Sequence, residues 1–246
     1  MRLSKAWIVA SKDFKIFFKK KSILYSIFGF EVFIAIGLPI IVRFIARKAT
    51  GSDISQILPA IIDSFSFWFV IWVSILPVGI ASYSLVGEKV QESLEPLLAT
   101  PTTDAEILAG KVIAAFIPAM VSNYISAGIF MLLVNYFTSD VLSYLYFPNW
   151  TIAVELLLLA PLVCLLSIGY NVLISSRVND IRAAQQTGSL IILPLGAVYV
   201  LSEIGVLSLA TANLLIMSGV IVVLDVIVFY LVSAAFRREE ILTQWK

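Results

Sequence analysis

Four carboxylates stand inside apolar runs that hold no other charge: Glu31, Asp63, Glu155 and Asp225. A charged side chain at the centre of a bilayer costs about 3 kcal/mol on insertion scales, so each of the four needs a reason. Glu31 and Asp225 fall near the middle of their runs, with no Lys or Arg at matching depth to pair with either. Two roles fit them. One is a hydrogen bond to Ser, Asn or backbone groups on a neighbouring helix; the other is a place on a substrate path or gate. Asp63 and Glu155 lie nearer the ends of their runs and are expected to reach water by snorkelling.

Equally informative is the chemistry these residues cannot do. The chain contains no histidine, which removes histidine-based triads, HExxH zinc sites and histidine proton relays together. An aspartyl pair built from Asp63 and Asp225 is ruled out by depth, because the two differ by about half a bilayer and could not share a proton. Cys164, the one cysteine, sits within an apolar run and reads as a small buried hydrophobe. No catalytic, metal-ligating or cofactor-binding residue is expected, and the chain is not expected to be an enzyme.

The elements that position these groups follow from composition. The chain is 246 residues long, 60% hydrophobic and 13% charged, with a mean hydropathy of +1.00. Soluble domains are about 45–50% apolar and about 25% charged. Several runs of about 20 apolar residues, each long enough to cross the hydrocarbon as a helix, make this an all-α, polytopic membrane protein. A net charge of +1 gives nucleic acid no footing. Six transmembrane helices are expected, near 22–42, 61–86, 112–137, 151–175, 186–199 and 213–236. A short re-entrant or interfacial piece over 201–212 would precede the last. Pro39, Pro77, Pro118, Pro161 and Pro194 interrupt the spans, and Asn149 is the expected N-cap of the fourth, with Trp150 as an interfacial anchor.

Ahead of the first span, residues 2–20 form an amphipathic pattern. Leu3, Trp7, Ala10, Phe14 and Phe17 share one helical face and Lys5, Lys12 and Lys19 lie roughly opposite, as in an interfacial helix. With the N-terminus inside, fourteen of the seventeen Lys and Arg fall on the inner side, and only Arg43, Arg47 and Lys48 on the outer. Both termini are therefore expected in the cytoplasm, and the protein in the cell membrane.

That orientation places Glu88–Lys111, "EKVQESLEPLLATPTTDAEILAGK", in the cytoplasm. Val90, Leu94 and Leu97/Leu98 share one helical face, and Glu88, Glu92 and Glu95 another. Pro96 ends this first helix. Thr103-Asp-Ala-Glu106 has the pattern of a capping box for a second helix, which leads into the third span. A plain linker between spans needs fewer residues and no apolar face; docking onto a cytoplasmic partner accounts for both.

These residues resemble a family. Glu88–Lys111 is similar to the coupling segment of permease subunits of type-two ATP-binding-cassette exporters, in which an EK…LEPLLATP…EI..GK pattern joins the second and third spans. Ser175–Leu195, "SSRVNDIRAAQQTGSLIILPL", is similar to the family's stretch entering the fifth span. The resemblance covers nearly the whole chain as a single transmembrane domain. It implies two six-span subunits, a second copy or a similar permease, enclosing a central pathway, with membrane lipid around them. It also implies a separate cytoplasmic ATPase subunit carrying ATP and Mg, since this sequence has no GxxxxGK[ST] phosphate loop. By the same resemblance Glu88, Glu92, Glu95, Leu97, Leu98 and Glu106 would contact that ATPase. The second and fifth spans would line the pathway, which makes Trp68, Trp72 and Pro194 candidates beside Glu31 and Asp225. The competing reading is a self-contained secondary transporter driven by an ion gradient, which calls for inverted repeats with broken helices at matching positions.

Overall fold

The computed structural model describes residues 3–19, 21–48, 54–90, 102–178 and 180–235. They form seven helices, which we number α1 (Leu3–Lys19), α2 (Lys21–Lys48), α3 (Ile54–Val90), α4 (Asp104–Leu142), α5 (Trp150–Arg177), α6 (Ile181–Glu203) and α7 (Thr211–Ala235), and no strand is present among the described residues. The six from α2 to α7 each contain a stretch long and apolar enough to span a membrane. The chain is thus a multi-pass membrane protein, as its apolar runs dictate. Of the docking segment, α3 carries the backbone of Glu88 to its C-terminal end, whereas Glu92, Glu95, Leu97 and Leu98 lie outside the described residues.

The core comprises two apolar clusters on either side of α3. One joins α3, the first half of α4, α5 and α7 through Val73, Ile80, Ala115, Val163 and Ile168; the other joins α2, α3 and the second half of α4 through Ala35, Phe69, Ala127 and Phe130. Phe69 and Phe130 meet edge to face at 5.2 Å. Around this core α2, α6 and α7 leave most of their side chains at least partly exposed, among them Phe33, Phe44, Leu193, Val226 and Phe229, as helices surrounded by lipid or by another subunit do.

The N-terminal helix has three faces rather than two. Trp7, Phe14 and Phe18 form an aromatic row along one side, with ring centroids 6.1 and 6.5 Å apart. Lys12, Lys15 and Lys19 are exposed on another. Ala10, expected with the aromatics, instead points inward with Ala6 and Val9 against the start of α4. The approach is close enough that a Cβ on Gly110 would stand 2.7 Å from the Ala6 carbonyl oxygen and 2.7 Å from Val9 Cβ. Small residues on both helices permit that contact, a packing device that membrane helices favour.

Helix ends follow local chemistry closely. Thr103 caps α4 as its spacing predicts: its hydroxyl accepts from the Glu106 N–H (3.3 Å) while Glu106 Oε2 accepts from the Thr103 N–H (3.0 Å). Asn149 caps α5 by accepting from the Ile152 N–H at 2.8 Å. Within the expected re-entrant or interfacial piece, 201–212, α6 comes to a sharp stop. The Val206 N–H bonds to the Leu201 carbonyl and the Gly205 N–H to that of Ser202, with Gly205 at φ +75. This is a Schellman ending, and glycine at the left-handed position makes it inexpensive. It divides the long apolar stretch into α6 and α7 without a further helix.

Candidate functional site

The four carboxylates inside the spans sort into three places. Glu31 on α2 is 1% exposed. One of its oxygens accepts from the Ser122 hydroxyl on α4. With its amide turned to satisfy both neighbours, Asn123 donates to the other oxygen at 3.0 Å and to the Phe69 carbonyl of α3 at 3.2 Å. Three helices are thereby tied at one buried point. The expectation of a hydrogen bond to Ser, Asn or backbone across helices describes Glu31 well, and a pair of donors in hydrocarbon compensates much of the cost of burying it.

Beside that knot lies a void of about 10 Å³ lined by Glu31, Ile34, Trp68, Phe69 and Trp72. Trp72 stacks on Phe30 of α2 with centroids 4.3 Å apart, and Trp68 stacks on Tyr199 of α6 at 5.5 Å. Three residues singled out separately in the sequence, Glu31, Trp68 and Trp72, therefore share one location where α2, α3 and α6 meet. The Trp72 indole N–H is buried with no acceptor. A void of this size is about that of one probe-sized water, so the site is tightly closed. Pro194, in contrast, is exposed on α6, just beyond a 3-10 turn at Ser189–Ile191. That tighter turn precedes the position where proline lacks its N–H.

The second place is a cluster at the α3–α5 contact. The Ser66 hydroxyl reaches Glu155 Oε2 at 2.6 Å and also lies 2.7 Å from the Asp63 carbonyl. The Tyr146 hydroxyl donates to the Asp63 carboxylate at 2.7 Å, and Asn149 Nδ2 approaches the same oxygen at 3.5 Å. The loop carrying Tyr146 is held on α4 by Asn135, which donates to the Phe147 carbonyl (2.8 Å) and accepts from its N–H (2.9 Å). Burial and the adjacent Asp63 carboxylate raise the Tyr146 hydroxyl above the ordinary tyrosine value, so it remains a donor at neutral pH.

Glu155 does not reach water as its position near a helix end led us to expect. It is fully buried, and its second oxygen has no partner. The cause is local: α5 widens into a π turn over Glu155–Leu159, directly before Pro161. Proline removes one backbone donor and its ring needs room at the preceding turn, so a wider turn there relieves the clash. The extra residue re-aims Glu155 toward Ser66. Sequence reasoning missed this pairing; the signal available was a carboxylate six residues before a mid-helix proline.

Asp225 occupies the third place, on the wall of a cavity of about 670 Å³ between α4, α5 and α7 that Asp104 and Ser233 also line. Glu106, the one residue of the docking set with a described side chain, is 3% exposed and engaged in the α4 cap. No group of three or more His, Cys, Asp or Glu suited to a metal ion occurs among the described residues. Neither a family model nor a curated protein matches the chain.

Proposed function

We propose that this chain is the membrane-spanning subunit of an ATP-driven exporter. It would work as a dimer with a second copy or a similar permease, and residues 87–111 would couple it to a separate cytoplasmic ATPase. The observation that carries the reading is the continuity of α4. This helix of 39 residues starts at a capping box inside that segment and passes Ser122 and Asn123 in the buried knot. At about 1.5 Å per residue, Thr103 and Ser122 are joined by about 28 Å of helix, which stays continuous through Pro118. A push on the segment before Thr103 would therefore move the knot at Glu31 as part of one rigid body, taking α2 and the Trp68 and Trp72 stacks with it. In this reading both termini face the cytoplasm. ATP and Mg belong to the partner, and Glu88, Glu92, Glu95, Leu97 and Leu98 form its landing surface, with Glu106 stiffening the start of α4.

One observation favours the alternative of a transporter driven by an ion gradient. Glu155 is a buried carboxylate with a free oxygen near Asp63, on a π turn, and such turns recur at functional sites. The two readings separate in vesicles. Leu97→Asp with Leu98→Asp abolishes transport only if an ATPase docks there, whereas transport that persists after ATP depletion belongs to the ion-driven reading.

A further inference from the structure

Of the four carboxylates inside the spans, Asp225 is the one without a donor among the described residues. Glu31 has Ser122 and Asn123, Asp63 has Tyr146, and Glu155 has Ser66 on one oxygen. Asp225 makes no hydrogen bond or ion pair with any described residue, and its Oδ2 is buried. It stands on the wall of the cavity between α4, α5 and α7, whose other walls are mostly apolar, with Leu108, Val112, Leu165, Val172 and Phe229 joined by Asp104 and Ser233. No basic side chain is among the lining residues that the structure describes. Ala105 and Ala109 on α4 keep that wall shallow, and the volume of about 670 Å³ lies in the range of small-molecule sites.

We propose that this cavity is a binding site for lipophilic monovalent cations, in which the apolar walls take the body of the ligand and the Asp225 carboxylate its charge. A carboxylate in a low-dielectric wall is costly without a partner, and a charge on the guest supplies what the protein does not. The apolar lining selects against small hydrated ions, which would have to shed their water for a single ligand. Size, a mostly apolar lining and acidic side chains with no basic one beside them all describe the same guest. The site does not depend on an ATPase, so it stands or falls separately from the exporter reading.

The test is equilibrium binding of tetraphenylphosphonium to the full chain in phosphatidylcholine nanodiscs, with empty nanodiscs as the blank. Saturable binding of one cation per chain is expected, weakened at least about 10-fold by Asp225→Asn, since removing one partner of a buried charge pair is expensive. Asp225→Glu should retain binding. Ala109→Phe, which fills the cavity and leaves the carboxylate, should abolish it. Neutral triphenylphosphine oxide should bind no better to the wild type than to Asp225→Asn. Equal tetraphenylphosphonium binding by wild type, Asp225→Asn and Ala109→Phe would overturn the proposal, as would equal wild-type affinity for the neutral analogue.

Discussion

The Ser122 hydroxyl donates to the Glu31 carboxylate across the α2–α4 contact, joining residues 91 positions apart in the chain. With Asn123 on the other oxygen, Glu31 is held at both ends of its carboxylate. Glu31→Ala should therefore destabilise the protein by about 2–3 kcal/mol, because two buried donors lose their acceptor at once. Glu31→Gln keeps an acceptor for Ser122 and should cost less than half as much. Reversible unfolding in mixed micelles measures both. Unchanged transport by a stable Glu31→Gln protein would assign the residue to structure, and lost transport would assign it to the gate.

The close approach of α1 to α4 gives a second expectation. Gly110→Val places a branched side chain where even a Cβ would meet Ala6 and Val9. Overpacking of this kind costs about 1–3 kcal/mol and should push α1 off the bundle. Hydrogen exchange over α1 would report it: the amides of residues 6–13 should exchange faster in Gly110→Val than in the parent, and an unchanged rate would show that α1 is not seated there.

The cap of α4 is measurable locally. Thr103→Ala removes the acceptor for the Glu106 N–H and should cost about 1 kcal/mol, the usual value for an N-cap. The loss should appear as faster hydrogen exchange over residues 104–107, with residues near Ser122 unaffected. Uniformly faster exchange along α4 would mean that the helix is not the rigid rod the coupling mechanism requires.

Tyr146 supplies a prediction with pH. Its ionisation is raised by burial and by the Asp63 carboxylate beside it. A group whose value is higher in the folded state contributes stability that is complete below the unfolded value and lost as pH rises through the folded one. The contribution should therefore hold up to the ordinary tyrosine value of 10.0 and fall only above it. Tyr146→Phe should lower stability by about 1–2 kcal/mol at neutral pH, as expected when Asp63 loses a donor. It should also remove one late-ionising tyrosine from the ultraviolet titration. An unaltered titration would show that Tyr146 ionises with the others.

Much of this architecture was legible in the sequence, and the limits are physical. Long apolar runs located the spans, because a helix crossing lipid must satisfy its own backbone and present apolar side chains throughout. Thr103, Glu106 and Asn149 announced their caps, since capping is a local bond between residues about three apart. What could not be read were the pairings between distant residues. Nothing in the chain near Glu155 names Ser66, 89 positions away, and a span-end carboxylate looks able to reach water until a π turn before Pro161 re-aims it. Glu31, Trp68 and Trp72 were each conspicuous, but only packing brings them to one point. The inward face of α1 was hidden for a related reason: Ala6 and Ala10 carry little hydropathy, and their value lies in being small opposite Gly110.

The central claim is that an ATPase docks on the segment between α3 and α4, and photo-cross-linking in native membranes tests it most directly. A benzophenone amino acid replaces Leu97 or Leu98, and a third variant carries it at Trp150, which is exposed beyond the other end of α4. The account predicts an adduct from residues 97 and 98 to a protein with a GxxxxGK[ST] phosphate loop, and none from residue 150. Adducts from 97 and 98 that contain only lipid or this chain itself, or an ATPase adduct of equal yield from 150, would contradict it.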